Sequence, residues 1–244
     1  MRFCATKITN NHKLKQTQMK KLIVTLAAIV MATGAFAQLN FGVKVGGNLA
    51  SISGMVSEEN GLDWGDLASA DASQAMRLGL NAGVYAEYMV MPMLGVQVEA
   101  NFSMQGVNTT ANASLLGVES TTKTAWAANY VNVPILAKLH FANIRAYVGP
   151  QFGFATGINT TAKTITGDNT NTQENALEAG DYSGFDFSLV FGAQYKLTAN
   201  IGIDARYNLG LTNVFPATKN DKGEVLTEAW GKQGVIQLGV FYEF

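Results

Sequence analysis

Beyond residue 37 the chain holds one histidine, His140, and no cysteine, because His12 and Cys4 both precede that point. Lipases, acyltransferases and proteases of a membrane surface set a His beside a Ser or Asp on the side where substrate lies. His140 instead closes the stretch NYVNVPILAKLHF (residues 129–141), beside the short turn Ala142-Asn143, with Lys138 and Arg145 near it in sequence. That is a setting for ion pairing rather than nucleophilic catalysis. The carboxylates Glu58, Glu59, Asp63, Asp66 and Asp71 cluster in one segment, but not in the D-x-D-x-D-G-x5-E order of a calcium loop. A solvated acidic surface is the expectation there. With no thiolate and no phosphate-cradling glycine loop, no catalytic, cofactor or metal residue is assigned.

The stretch around His140 poses its own problem. Its alternation of apolar and polar residues is that of a β-strand, yet Pro134 lacks the N–H a ladder needs and Lys138 sits among apolar neighbours. Pro in a strand marks an edge or bulge, and a buried Lys needs a partner. The elements that position these residues must satisfy both demands.

Eight segments carry period-2 alternation, at approximately 39–51, 77–90, 94–106, 127–141, 144–156, 184–197, 199–213 and 234–244. Their connections alternate in length. Met91-Pro92-Met93, Ala142-Asn143 and Thr198-Ala199-Asn200 are tight, whereas 52–76, 107–126, 157–183 and 214–233 are long and rich in Ser, Thr, Asn, Asp and Gly. Even strand number, short turns on one side and long loops on the other describe an all-β, eight-stranded, antiparallel up-and-down transmembrane barrel of the outer-membrane type. A soluble sandwich would not alternate its connections in this way. Nor would it need aromatic ends on its apolar faces: here Tyr88, Phe141, Tyr195, Tyr242 and Phe244 fall beside the short turns, and Phe102, Phe152, Phe154, Phe185 and Phe187 toward the long loops. Trp64, Trp126 and Trp230 lie in or next to the long loops, as interfacial anchors or as contacts for a surface partner.

In a barrel the apolar face looks to lipid. Val131, Val133, Ile135, Ala137, Leu139 and Phe141 then face outward, and Asn132, Pro134, Lys138 and His140 point into the lumen. Pro134 is expected to bring a bulge or one missing ladder bond.

The segment MKKLIVTLAAIVMATGAFAQ, from Met19, has a basic start, an apolar run and an Ala35-Phe36-Ala37 end, the pattern of a cleaved secretory signal. Three parts are therefore expected: 1–18, an extension from an upstream start codon; 19–37, the signal peptide; and 38–244, the barrel, exported to the bacterial outer membrane. Seventeen Lys and Arg occur in the chain, six of them before Gln38, so eleven face eighteen Asp and Glu beyond it, for a net charge of −7. No nucleic-acid partner is expected.

NYVNVPILAKLHF followed by AYVGPQFGF, preceded by FGVKVGGNLASI and followed by FDFSLVFGAQYKL and IDARYNLGLTNV, resembles the PorT-like outer-membrane barrel proteins of Bacteroidetes across nearly all of residues 38–244. That resemblance implies an eight-stranded barrel; some of those proteins assist type IX secretion or gliding. The C-terminal Tyr242 and Phe244, alternating with Leu238 and Val240, resemble the signal read by the barrel-assembly machinery, a transient partner.

Inward strand positions hold Lys44, Arg77, Lys138, Arg145, Lys196 and Arg206 against Glu87, Glu99, Asp186, Asp204 and Glu243. An eight-stranded barrel has an interior just wide enough for side chains to fill. Balanced ionised groups in that space should interlock and plug it, with Lys44, Glu87, Glu99, Lys138, Arg145, Asp186, Asp204, Arg206 and Glu243 as the network. The function expected of such a barrel is that of a structural or interaction protein acting through its acidic surface loops, in adhesion or as a secretion accessory. A narrow channel for small solutes is the alternative, and a lipid-modifying enzyme or protease a third reading. The partners expected are outer-membrane lipid and lipopolysaccharide, the assembly machinery, and a surface or periplasmic protein, around a monomeric barrel.

Overall fold

The alternating segments form eight strands in the computed structural model, which describes residues 39–55, 62–63, 68–167, 169–177, 181–219 and 225–244. The segments 1–18 and 19–37, and Glu58, Glu59, Trp64 and Asp66, lie outside the described residues. The strands belong, Leu39 apart, to one compact unit, Asn40–Phe244. They are β1 (Leu39–Ile52), β2 (Ala68–Met91), β3 (Leu94–Leu115), β4 (Val118–Phe141), β5 (Ile144–Thr166), β6 (Phe185–Lys196), β7 (Ile201–Phe215) and β8 (Trp230–Glu243). From β2 to β8 each pairs antiparallel with its neighbours in sequence. β8 pairs with β1, and β1 also pairs with β2, so the ring closes. Closure leaves no open sheet edge within the ring. Among the described residues no helix is long and apolar enough to cross a membrane.

Alternation decides which side each residue takes. In β3, Val96, Val98, Phe102 and Met104 are exposed on the outside while Gln97, Glu99, Asn101, Ser103 and Gln105 are buried inside. In β4, Val131, Ile135, Leu139 and Phe141 face out, and Asn132, Leu136 and Lys138 are buried. The outward apolar run from Val131 to Phe141, and its counterparts Leu94–Met104 and Ile144–Phe154, match the roughly 9–11 residues a tilted strand needs to span a bilayer. Tyr88, Phe141, Tyr195, Tyr242 and Phe244 are exposed at the short-turn end, and Phe102, Phe154 and Phe185 toward the other.

Pro134 has its expected effect without a bulge. The β3–β4 ladder is interrupted between Val98↔Ile135 and Asn101↔Asn132, yet keeps its register across the gap. Pro150 leaves a matching gap in the β4–β5 ladder, between Pro134↔Gln151 and Ala137↔Val148. The register shift in that ladder lies elsewhere, between Asn129 and Tyr130.

Two of the expected loops are largely strand. The segment 107–126 continues as a β3–β4 hairpin, paired without a break from Gln105↔Ala128 to Leu115↔Val118. Leu116 (φ 50°) and Gly117 (φ 79°) close it, a two-residue turn whose positive φ values suit the twist of a hairpin. β2 and β5 rise beside it, and a further strand, Asn169–Ala176, folds back onto β5. Strands of 24, 22, 24 and 23 residues for β2 to β5 therefore carry a polar sheet well beyond the apolar belt.

The C-terminus fastens the last strand to the first. Phe244 donates its N–H to the Phe41 carbonyl at 2.9 Å, and its ring meets Tyr242 edge-on at 5.3 Å. Deleting Phe244 is expected to lower the amount of folded, heat-modifiable barrel without affecting export across the inner membrane. Unchanged barrel levels on gels of unboiled membranes would exclude an assembly role.

Candidate functional site in the barrel lumen

Residues two apart on a strand share a face, so 97, 99 and 101 on β3, 138 and 140 on β4, and 204 and 206 on β7 each present a ladder of polar groups to the lumen. Every strand contributes to one network, in two clusters.

The first cluster is centred on Glu99, which is buried. Its carboxylate accepts from Lys44 Nζ at 2.5 Å and from Arg206 Nη1 and Nη2 at 2.9 and 3.0 Å. Asn101 Nδ2 and Gln97 Nε2 add donors at 2.6 and 2.5 Å. Arg206 also donates through Nε to Asp204 at 3.0 Å, and Asp204 accepts from Tyr147 Oη and Gln194 Nε2, each at 2.8 Å. The Arg206 guanidinium lies 5.0 Å from the Tyr147 ring centroid, in cation–π range.

Glu87 and Glu243 organise the second cluster, nearer the short turns. Lys138 Nζ reaches Glu87 at 3.0 Å with neither side chain exposed. His140 Nε2 bonds the other Glu87 oxygen. Arg145 engages Glu243 in two-pronged fashion at 2.5 and 3.2 Å, and Lys196 joins it at 2.9 Å. Gly95 makes room here: a Cβ at that position would lie 2.6 Å from a Glu87 carboxylate oxygen.

Gln97 joins the two clusters. Its amide oxygen accepts from Lys138 Nζ at 2.5 Å while its amide nitrogen donates to Glu99. Alternation placed Gln97 inward, but an uncharged residue gave no sign that it would be the bridge.

Asp186 does not join. It sits at the loop-side end of β6 and accepts from Thr212 Oγ1 at 3.0 Å, with no ion pair among the described residues. Its phase was inward; its height on the wall was wrong for the network. Arg77 also stands apart, half-buried, with Nη1 3.5 Å from Asn108 Oδ1. Asp71 lies on the exposed sheet extension, where Asn112 donates to it at 3.3 Å. Among the described residues no group of three or more His, Cys, Asp or Glu is placed to hold a metal.

Above the charges, toward the long connections, the interior turns apolar. Ile52, Val107, Ala128, Tyr130, Ile158, Val214 and Phe215 form one buried cluster. Trp230 stacks on Phe215 at 4.4 Å and Trp126 meets it edge-on at 5.6 Å. These two tryptophans, expected as interfacial anchors or as contacts for a surface partner, are half-buried against this inner cluster. At the opposite, short-turn end, Phe241, on the inward side of β8 between Val240 and Tyr242, is also buried, at 2% exposure.

Comparison with known proteins fits this architecture. The sequence profile described as the outer membrane protein beta-barrel domain matches residues 33–216, three quarters of the chain. The chain belongs to that family. Membership locates the barrel in the outer membrane and accounts for its lipid-facing apolar belt and closed ring. No curated protein matches the chain. Among solved structures, Ail, the attachment invasion locus protein of Yersinia pestis, is similar at 14% identity, covering 85% of this chain and 98% of its own, with a TM-score of 0.39. Neisserial surface protein A is similar at 13% identity, with coverage of 84% and 97% and a TM-score of 0.35. The outer membrane protease OmpT of Escherichia coli follows at 8% identity, coverage of 85% and 97%, and a TM-score of 0.30.

Proposed function

We propose that this member of the family is a structural or interaction protein whose lumen is plugged and whose contacts are made by the sheet that rises above the apolar belt. The observation that carries the reading is the Lys44–Glu99–Arg206–Asp204 cluster joined through Gln97 to Lys138–Glu87. Breaking such a pair inside a barrel exposes an uncompensated charge, so a solute has no low-cost way through. The apolar cluster around Phe215 supports closure from the other end. His140 is held by Glu87 on the short-turn side, away from the face where a surface lipase or protease would meet substrate.

The role this leaves is contact, either adhesion at the cell surface or support of secretion; the PorT-like resemblance favours the latter. Replacing residues 108–125 by a short turn should keep the barrel heat-modifiable, because the ring and lumen network lie below. Crosslinking on intact cells is expected to give protein conjugates with the full chain and lose them with the shortened one. Conjugates that are unchanged, or that never form, would contradict the role assigned to the extension.

A further inference from the structure

The ring has no edge, but its polar extension has one. Asn169–Ala176 (NTNTQENA) pairs with β5 on one side, and among the described residues nothing pairs with it on the other. All eight residues are exposed. Exposed edges are usually guarded by Lys, Pro, bulges or brevity. This one has no Pro, no Lys or Arg, and an unbroken register from Asn159↔Ala176 to Thr166↔Asn169.

The hydrogen-bonding phase of that free side follows from one bond. Leu177 donates its N–H to the Ile158 carbonyl at 2.9 Å, in register with the ladder. Bonded and non-bonded pairs alternate in an antiparallel ladder. Asn175, Gln173 and Asn171 therefore bond toward β5, and Thr170, Thr172, Glu174 and Ala176 turn their N–H and C=O groups to the open side. Water meets these groups one at a time, whereas another extended backbone can bond along the whole row.

The charges beside the edge indicate which backbone. Thr172 lies opposite Lys163, and Lys163 lies opposite Lys123. Like charges directly opposite are destabilising, and both lysines are exposed with no ion pair among the described residues. A strand added in the antiparallel sense with its two-fold axis through Gln173 sets Glu174 of each copy opposite Thr172 of the other. There each carboxylate has only a short Thr between it and Lys163. The same register pairs Thr170 with Ala176, so the whole edge is used and no like charges meet. The edge is self-complementary, as a two-fold interface requires.

We infer that Asn169–Ala176 is a homotypic docking edge that pairs with the same edge of a second copy held in a facing membrane. The facing arrangement follows from symmetry. An antiparallel pair joined edge to edge has its two-fold axis normal to the sheet, and the normal to an upright barrel wall lies in the membrane plane. That rotation inverts the second barrel. Within one membrane the protein stays a monomer. This inference rests on the interaction role proposed above and names its partner; conjugates of the unsubstituted chain on intact cells without a Gln173→Cys dimer would sink this inference alone, and no conjugates at all would sink the role.

Gln173, on the two-fold axis, forms a non-hydrogen-bonded pair with itself, the close spacing at which a disulfide bridges two strands. Cys4 is the only cysteine of the chain, so Gln173→Cys on a Cys4→Ser background reports the contact. Purified in detergent and mildly oxidised, it is expected to form disulfide dimer, and Asn169→Cys is not. Thr172→Pro removes an outward N–H and leaves the ladder to β5 intact; Glu174→Lys sets a third lysine beside the pair. Each should abolish the dimer while the barrel remains heat-modifiable. Vesicles carrying the unsubstituted chain should cluster, and vesicles carrying Thr172→Pro should not. Absence of the Gln173→Cys dimer, equal dimer from Asn169→Cys, dimer that persists in Thr172→Pro, or vesicles that stay dispersed would each overturn the inference.

Discussion

Arg206→Met is expected to lower the unfolding free energy of the refolded barrel by about 3–5 kcal/mol, the usual cost of leaving a buried charge without its partner. Arg206 is 3% exposed and donates to two carboxylates, Glu99 and Asp204. After substitution Glu99 keeps only Lys44 as a cationic partner, and Asp204 keeps only the neutral donors Tyr147 and Gln194. Lys138→Met should act in the same direction, since Glu87 then relies on His140 and on Arg145 at 4.0 Å. Arg206→Lys should not restore stability, because an ammonium cannot reproduce the two parallel bonds to Glu99. Val133→Ala, on the lipid face, removes no charge and should cost less than either Met variant. Denaturant unfolding of the four variants in one detergent makes the comparison. Met variants no less stable than Val133→Ala would mean that the ion pairs do not hold the wall together.

Phe215→Ala carries the second large effect, at the other end of the lumen. Phe215 is 7% exposed and is the ring on which Trp126 and Trp230 both rest. Truncating a buried Phe typically costs about 3–5 kcal/mol, through lost burial and the cavity left behind. The loss should come with a red shift of tryptophan emission as both indoles meet water. A variant of unchanged stability and emission would show that the cluster does not seal the mouth.

The ring was legible in the sequence because a lipid-facing wall forces strict alternation of chemistry between faces. The same alternation placed Lys44, Glu87, Glu99, Lys138, Arg145, Asp204, Arg206 and Glu243 inside. It could not pair them: Glu99 and Arg206 meet across the lumen from β3 and β7, and such a meeting depends on strand tilt and stagger rather than on phase. Asp186 was misjudged for that reason. The sheet extension was hidden for a different one. In 107–126, Thr, Asn, Ser and Ala occupy both faces, so no apolar contrast marks a strand, although Thr suits a pleated ladder. The apolar cluster followed from that omission. Val107, Ile158 and Val214 lie just beyond the strand ends that alternation defined, where apolar residues read as loop.

Closure of the lumen is tested most directly by electrical recording. The unsubstituted chain, reconstituted into planar bilayers, is expected to give no discrete single-channel steps if, as proposed, the buried Glu99, Arg206, Lys138 and Glu87 plug the lumen and the cluster around Phe215 covers it. Reproducible unitary conductance steps from the folded, heat-modifiable barrel would contradict the plug and make the protein a narrow channel.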